Sequence, residues 1–384
     1  MILGVPKEIK ENERRVSSTP ETVKRMIADG FKVQVEKDAG AGSFISDSEY
    51  EKTGATIVDT GTAWASDVVV HVKEPLHNKE KNKHELDMMR KGAYFITFLH
   101  PSNPAHHSFV EKMAEKGIIG ITMDSVPRIT RAQVMDPLTS MSTITGYKSV
   151  LIAAGILPKF FPMLTTPVGV IKPATVLILG VGVVGLQSLA TAKRLGAVVH
   201  AMDTRKDARE QAKSLGAKVV DFAPPEEIAT DKSGYAKRLP EEWYEKERQV
   251  IGSMLKDLDV IISSPLIMGE EAPMLITKDM VKQMKSGSVI IDVAVDQGGT
   301  CELTKAGETV EFSGVSVVGT ANIPGTVQVD STRMYSENVY AFLKYISKNG
   351  QIKLDMNDEI VKQCLVTIDG RIVHEGTLRA MGKL

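Results

Sequence analysis

Three glycines at fixed spacing follow a short apolar run. Gly180-Val-Gly182-Val183-Val-Gly185 comes directly after Val176-Leu-Ile-Leu179 and opens a helical stretch that ends at Gly196. This pattern suits the holding of a pyrophosphate. Gly180 permits a tight turn, Gly182 lets the backbone approach a phosphate, and Gly185 lets helix and strand pack closely. A helix opening at Val183 also offers free N–H groups and the positive end of its dipole. The next strand, Ala197–Met202, ends in Asp203, whose carboxylate would accept hydrogen bonds from ribose hydroxyls and repel a 2′-phosphate. NAD(H) is therefore the expected cofactor, although Arg205, two residues on, is of a type that serves a 2′-phosphate. Thr204 and Leu266 complete the expected cofactor-binding set.

Such a turn works only inside a sheet that carries it. Of 384 residues, 42% are hydrophobic and 25% charged, enough for two globular domains. A net charge of −1, with basic residues scattered, argues against nucleic acid or an anionic membrane as the main partner, and no direct membrane insertion is expected. Cys301 and Cys364 are expected as reduced, buried thiols. The N-terminus lacks a secretory pattern, so a cytoplasmic location is expected. The longest apolar stretch, Ala174–Ala192, is broken by Gly180, Gly182, Gly185, Gln187 and Ser188 and reads as strand–turn–helix. His106-His107 reads as a solvated pair with no third ligand, so no metal is expected.

Short apolar runs alternate with helical patterns from the start: Ile2–Val5, Lys32–Val35, Val68–Val72, Tyr94–Phe98 and Ile118–Thr122, with a helix at Pro20–Asp29 among them. The pattern restarts at Thr175–Leu179, Val198–Met202, Lys218–Val220, Val260–Ser263, Ser288–Asp292 and Val315–Val318. Ser66-Asp-Val-Val-Val and Leu258-Asp-Val-Ile-Ile look like equivalent strands of one layout used twice. The expected fold class is α/β, two doubly wound Rossmann-like domains with mostly parallel sheets and a cleft between them. Helices are expected at Met141–Phe161 and Thr332–Ser347, and tail strands at Cys364–Ile368 and Arg371–His374. A tail returning to the first domain puts residues 1–135 with 327–384 in one domain and 136–326 in the NAD(H)-binding one. The Lys/Glu-rich stretch Glu226–Glu247 reads as a mobile surface loop.

The segment from Pro127-Arg-Ile-Thr-Arg-Ala-Gln-Val-Met-Asp136 to Thr145-Gly-Tyr147 resembles the soluble NAD(H)-binding alpha component of proton-translocating nicotinamide nucleotide transhydrogenase. The likeness extends from Val5-Pro-Lys-Glu and Arg15-Val through Asp203-Thr-Arg205, Gly234–Lys237 and Ser286–Asp292 to Asp369-Gly-Arg-Ile-Val-His374. The resemblance implies that Arg128, Gln133 and Asp136 form a loop against the nicotinamide, with Thr139 where the family usually has serine. It implies that Tyr235 lies on a mobile loop closing over the nucleotide. It further implies hydride transfer to NADP(H) held by a partner, coupled to proton translocation. Expected partners are membrane and NADP(H)-binding transhydrogenase subunits and a second copy of the chain, which would place it peripherally at the inner membrane. The chemistry is consistent with this, since transfer between two nicotinamides needs positioning rather than an acid or base.

The sequence also resembles the alanine dehydrogenases, which share this ancestry. That resemblance implies a possible substrate site of Arg15, Lys73 in His71-Val-Lys-Glu-Pro75, His100 in Phe98-Leu-His, and Asp296 in Val295-Asp-Gln-Gly-Gly299. Arg15 and Lys73 would hold a 2-oxo acid, His100 would act as general acid/base, and Asp296 would orient the attacking amine or water. Both readings stand, with the Arg128–Asp136 loop and the Gly234-Tyr235 insertion favouring the first.

Overall fold

Both sheets begin from the same device. Asp67 precedes the strand Val68–Val70, and its carboxylate accepts the N–H of Ile2, the first residue of the strand Ile2–Val5, at 2.7 Å. Asp259 precedes the strand Val260–Ser263 and accepts the N–H of Thr175, the first residue of Thr175–Leu179, at 2.8 Å. In each case the carboxylate satisfies a strand-start donor that the parallel ladder leaves unpaired.

The computed structural model describes residues 1–230, 236–267 and 271–384. The chain divides into two units, Met1–Met141 with Pro324–Leu384, and Ser142–Ile323. In the first, the parallel strands run Thr56–Val58, Lys32–Glu36, Ile2–Val5, Val68–Val70, Tyr94–Thr97, Ile119–Thr122. Counted along the chain this is the order 3-2-1-4-5-6 of a dinucleotide-binding fold. The tail returns to close it: Leu365–Ile368 pairs antiparallel with Ile119–Thr122, and Arg371–Ile372 lies outside that.

The second unit repeats the layout with Lys218–Val219, Val198–Met202, Thr175–Leu179, Val260–Ser263, Val289–Asp292 and Val315–Val318 in parallel, and Thr309–Phe312 antiparallel at the edge. Its central strands Val260–Ser263 and Val289–Asp292 are buried throughout, as a sheet covered on both faces requires. The mixed α/β fold with mostly parallel sheets in two domains is thus as the sequence indicates.

Several helices differ in extent. The helix expected at Met141–Phe161 spans Pro137–Ile156. It starts a turn early because Asp136 caps it, and it stops before Pro158, whose ring disfavours helical backbone at Leu157. At Gly146 a Cβ would lie 2.3 Å from the carbonyl of Val184, so this glycine lets the helix cross Val183–Arg194 closely, and Ser188 Oγ donates to Gly146 O at 3.0 Å. The helix expected at Thr332–Ser347 spans Gln328–Tyr345.

The stretch Glu226–Glu247 is not one surface loop. It contains a short helix Glu226–Ala229 and the start of the helix Glu241–Met254, in which Tyr244, Glu247 and Ile251 are buried. The reason is that Tyr244 and Ile251, seven apart, lie on one face of the helix and pack into the core, taking Glu247 between them into the interior. Gly234 and Tyr235 lie outside the described residues. Both cysteines are free and buried. Among the described residues, no helix is long and apolar enough to cross a membrane.

Candidate functional site

In the second unit the three glycines meet three different constraints. Gly180 has φ +78° and lies so close to Pro265 that a Cβ would sit 2.8 Å from its nitrogen. A Cβ on Gly185 would lie 2.0 Å from Gly180 O, so any side chain there would break the turn. Gly182, the N-cap of the helix, has open space instead: the nearest atom to an added Cβ is Arg205 Nη2, at 4.0 Å. The turn and helix packing therefore need Gly180 and Gly185, while Gly182 leaves room for a ligand beside the first amides, including that of Val183. A dinucleotide pyrophosphate fits this cradle.

Asp203 follows the strand Val198–Met202 and is 6% exposed. Its Oδ2 accepts the N–H of Val181 at 2.7 Å, which ties it to the glycine turn. Arg205 donates to it from Nε at 3.0 Å and Nη2 at 2.9 Å, and its own backbone N–H adds 2.8 Å. Thr204 lies between, its carbonyl accepting from Arg209 Nη1 at 2.7 Å. Leu266, one residue after the Pro265 that abuts Gly180, is exposed.

Sequence reasoning missed Glu247. It is 6% exposed on the helix Glu241–Met254, and burial, followed by the charge of Asp203, pushes its carboxyl from the ordinary 4.5 up to about 8. At neutral pH this is a protonated acid close to the expected ribose reader, able to donate where Asp203 can only accept. A glutamate inside a Lys/Glu-rich stretch carries no sequence signal of burial other than its helical register against Tyr244 and Ile251.

In the first unit the Arg128–Asp136 segment is ordered by a 3-10 helix, Thr130–Met135. Arg128, Gln133 and Thr139 are exposed and Asp136 is buried. Asp136 Oδ1 accepts the N–H of Thr139 at 3.0 Å and Oδ2 accepts its hydroxyl at 2.6 Å. Through Thr139, Asp136 caps the helix that follows the loop. The loop is fastened to the unit behind it. Asn338 Nδ2 donates to Val134 O at 2.9 Å, and Arg131 Nη1 reaches Tyr345 Oη at 3.2 Å and Asp358 Oδ2 at 3.1 Å.

The same unit brings Arg15, Lys73 and His100 together. Arg15, 2% exposed, donates to Glu13 from Nε at 2.7 Å and Nη2 at 2.6 Å, and against its burial Glu13 is held down at about 2. Lys73 makes no ion pair among the described residues; burial, and then the charge of Arg15, lowers its pKa. Its backbone is clamped. Glu8 accepts the N–H groups of Val72 and Lys73 at 2.6 and 3.3 Å, and the Lys73 carbonyl accepts from Thr97 Oγ1 at 2.8 Å and lies 3.0 Å from His71 Nδ1.

His100 has φ +44°, a conformation that needs support in a non-glycine residue. Asp124 supplies it, accepting the His100 N–H at 2.7 Å and sitting 2.7 Å from Nδ1. Burial opposes charging of the ring, but the Asp124 carboxylate outweighs it and the pKa stands above the ordinary 6.5. The ring of Phe98 stacks on the imidazole at 5.7 Å and 2°. Asp296 belongs to the other unit, exposed on the turn Val295–Gln297, whose start is set by Asp292 accepting the N–H of Ala294 at 3.1 Å. His106 and His107 are not a solvated pair: both are half-buried, and His106 packs on Phe109 at 5.1 Å. No metal-holding group of three exists among the described residues.

The chain matches the family descriptions "Alanine dehydrogenase/PNT, N-terminal domain" over residues 4–145 and "Alanine dehydrogenase/PNT, C-terminal domain" over residues 149–375. It is 40% identical over 379 residues to the first part of NAD(P) transhydrogenase subunit alpha of Rhodospirillum rubrum, covering 97% of this chain and 98% of that one. It is 33% identical to alanine dehydrogenase of Bacillus subtilis, covering 100% of this chain and 95% of that one. Among solved structures, transhydrogenase from Sinorhizobium meliloti superposes with a TM-score of 0.85 at 36% identity, covering 97% of this chain and 100% of that one. An L-alanine dehydrogenase gives 0.83 at 29%, covering 100% and 99%.

Proposed function

This chain belongs to the alanine dehydrogenase/PNT family, an oxidoreductase family that binds nicotinamide nucleotides, and from that premise we propose that it is the NAD(H)-binding alpha subunit of a proton-translocating transhydrogenase. The observation that carries this reading is likeness over nearly the whole chain, 40% to a transhydrogenase subunit against 33% to an alanine dehydrogenase. A bound NAD(H) would supply the hydride chemistry, with a nucleotide on a partner subunit as the other party. The chain's own residues do the positioning. The helix amides after Gly182 receive the pyrophosphate, and Asp203 takes the ribose hydroxyls in competition with Arg205. Arg128 and Gln133 hold the nicotinamide carboxamide, while Thr139 keeps Asp136 oriented as it caps its helix.

Membrane and NADP(H)-binding subunits are the proposed partners; they would hold the chain at the inner membrane and couple transfer to protons. A second copy of the chain is the partner proposed for the hairpin Leu164–Thr166 and Gly169–Ile171. That hairpin pairs with no other strand among the described residues and leaves Val168, Val170 and Met163 exposed.

Lys73 favours a second reading, since a half-buried ammonium with no ion pair among the described residues, close to Arg15 and His100, suits a small 2-oxo acid. Residues 15, 73, 100 and 296 would then serve an alanine-type dehydrogenase. NADH oxidation by the purified chain separates the two. Turnover that requires a separately supplied NADP(H)-binding subunit and NADP⁺ supports the transhydrogenase. Rapid turnover with pyruvate and ammonium alone, lost in His100→Ala, overturns it.

A further inference from the structure

The helix Gln328–Tyr345 touches three segments in turn. Thr332 Oγ1 accepts the N–H of Val16, next to Arg15, at 3.2 Å. Tyr335 Oη donates to His71 O, two residues before Lys73, at 2.7 Å, and its ring packs at 5.3 Å on Phe98, which stacks on His100. Asn338 Nδ2 donates to Val134 O, inside the Arg128–Asp136 loop, at 2.9 Å. These three buried residues are three apart, and Tyr345, seven beyond Asn338, receives Arg131 of the same loop and donates to Asp358 at 2.6 Å. A repeat of three and seven keeps side chains on one broad face of a helix.

Asn338 is an unusual choice for that face. It is 6% exposed, and its Oδ1 is buried without a hydrogen-bond partner among the described residues. A half-satisfied buried amide costs stability that an apolar residue of similar size would not. Its one bond goes to a carbonyl of an exposed residue, Val134, which water could otherwise serve. Stability alone therefore does not account for it.

We propose that Asn338 is a positioning residue that fixes the Arg128–Asp136 loop, and that its helix face is a common bar registering this loop with the segments carrying Arg15 and Lys73. The functional meaning of that registration rests on the reading given above for the loop; the mechanical claim does not.

The test is hydrogen exchange across residues 128–136 in full-length Asn338→Leu, which keeps bulk and removes both the donor and the orphaned acceptor. The expected result is loop exchange about tenfold faster, the equilibrium equivalent of one buried hydrogen bond. The melting temperature should hold or rise. Unchanged loop exchange overturns the proposal. So does a fall in melting temperature with faster exchange throughout the unit, which would mark a structural role only. Should that variant fail to fold, Tyr345→Phe, at a half-exposed position, tests the second fastening, with faster exchange around Arg131 expected and no change overturning the proposal. In the assembled complex Asn338→Leu should lower kcat while leaving the KM for NADH within about twofold. If the wild type itself transfers no hydride, the transhydrogenase reading falls while the exchange result still decides the positioning claim.

Discussion

Arg205 grips both carboxylate oxygens of Asp203, from Nε at 3.0 Å and Nη2 at 2.9 Å. The residue expected to read a ribose is thus held by the residue type that would read a 2′-phosphate. Asp203→Ala should weaken NADH by about ten- to a hundredfold, the loss of hydrogen bonds to a charged group. It should also free Arg205 and raise the affinity for NADPH. Adding Arg205→Ala should remove that gain. Fluorescence titration of both nucleotides against the single and double variants checks this, and an NADPH affinity insensitive to Arg205 would refute the assignment.

Gly182 and Gly185 should behave differently as alanines. A Cβ on Gly185 collides with Gly180 O at 2.0 Å, so Gly185→Ala should destabilise the second unit by several kcal/mol, about the scale of overpacking in a tight core. Gly182→Ala meets nothing nearer than 4.0 Å and should keep wild-type stability while losing most NADH affinity. Urea unfolding beside nucleotide titration distinguishes them, and equal destabilisation would mean that Gly182 has no ligand-facing role.

Asp136→Asn keeps an acceptor for the Thr139 amide but removes the charge. Hydride transfer in the complex should fall at least about tenfold, with NADH affinity changed less than about threefold. Asp136→Ala should in addition lose about 1 kcal/mol of stability as the helix loses its cap. Stopped-flow transfer, nucleotide titration and urea unfolding read the three effects. A large loss of affinity with unchanged transfer would reverse the role given to the residue.

Glu247 makes stability depend on pH. Its folded pKa, about 8, lies above the ordinary 4.5, so folding takes up a proton between those values. Its contribution is fully present below about pH 4.5 and is lost as pH rises through about 8. Glu247→Gln should therefore gain stability over the wild type progressively from pH 5 to 8 and level off above. Melting curves at five or six pH values test this. Taking the difference between variant and wild type cancels Glu85, also raised by burial to about 7, and a difference constant with pH would contradict the buried acid.

The features legible in the sequence are those set by local backbone demands. The glycine triplet is legible because no other residue permits the approaches seen at Gly180 and Gly185. The repeat is visible in Ser66-Asp67 and Leu258-Asp259, whose carboxylates start the two sheets. Glu247, Asp124 and Asn338 are not legible. Each is an ordinary polar residue whose role depends on which face of a helix or turn meets which distant segment. Asn338 and Val134 are 204 residues apart, and no pattern in either neighbourhood names the other.

The first sheet is finished by strands from the end of the chain, and the consequence falls on synthesis. Leu365–Ile368 covers the edge of Ile119–Thr122, and the helix that holds the loops begins only at Gln328. On the ribosome the intervening unit, Ser142–Ile323, is complete while the first 141 residues still present a bare strand edge. The nascent chain therefore completes its second unit first, and the earlier unit waits for the strands that close it.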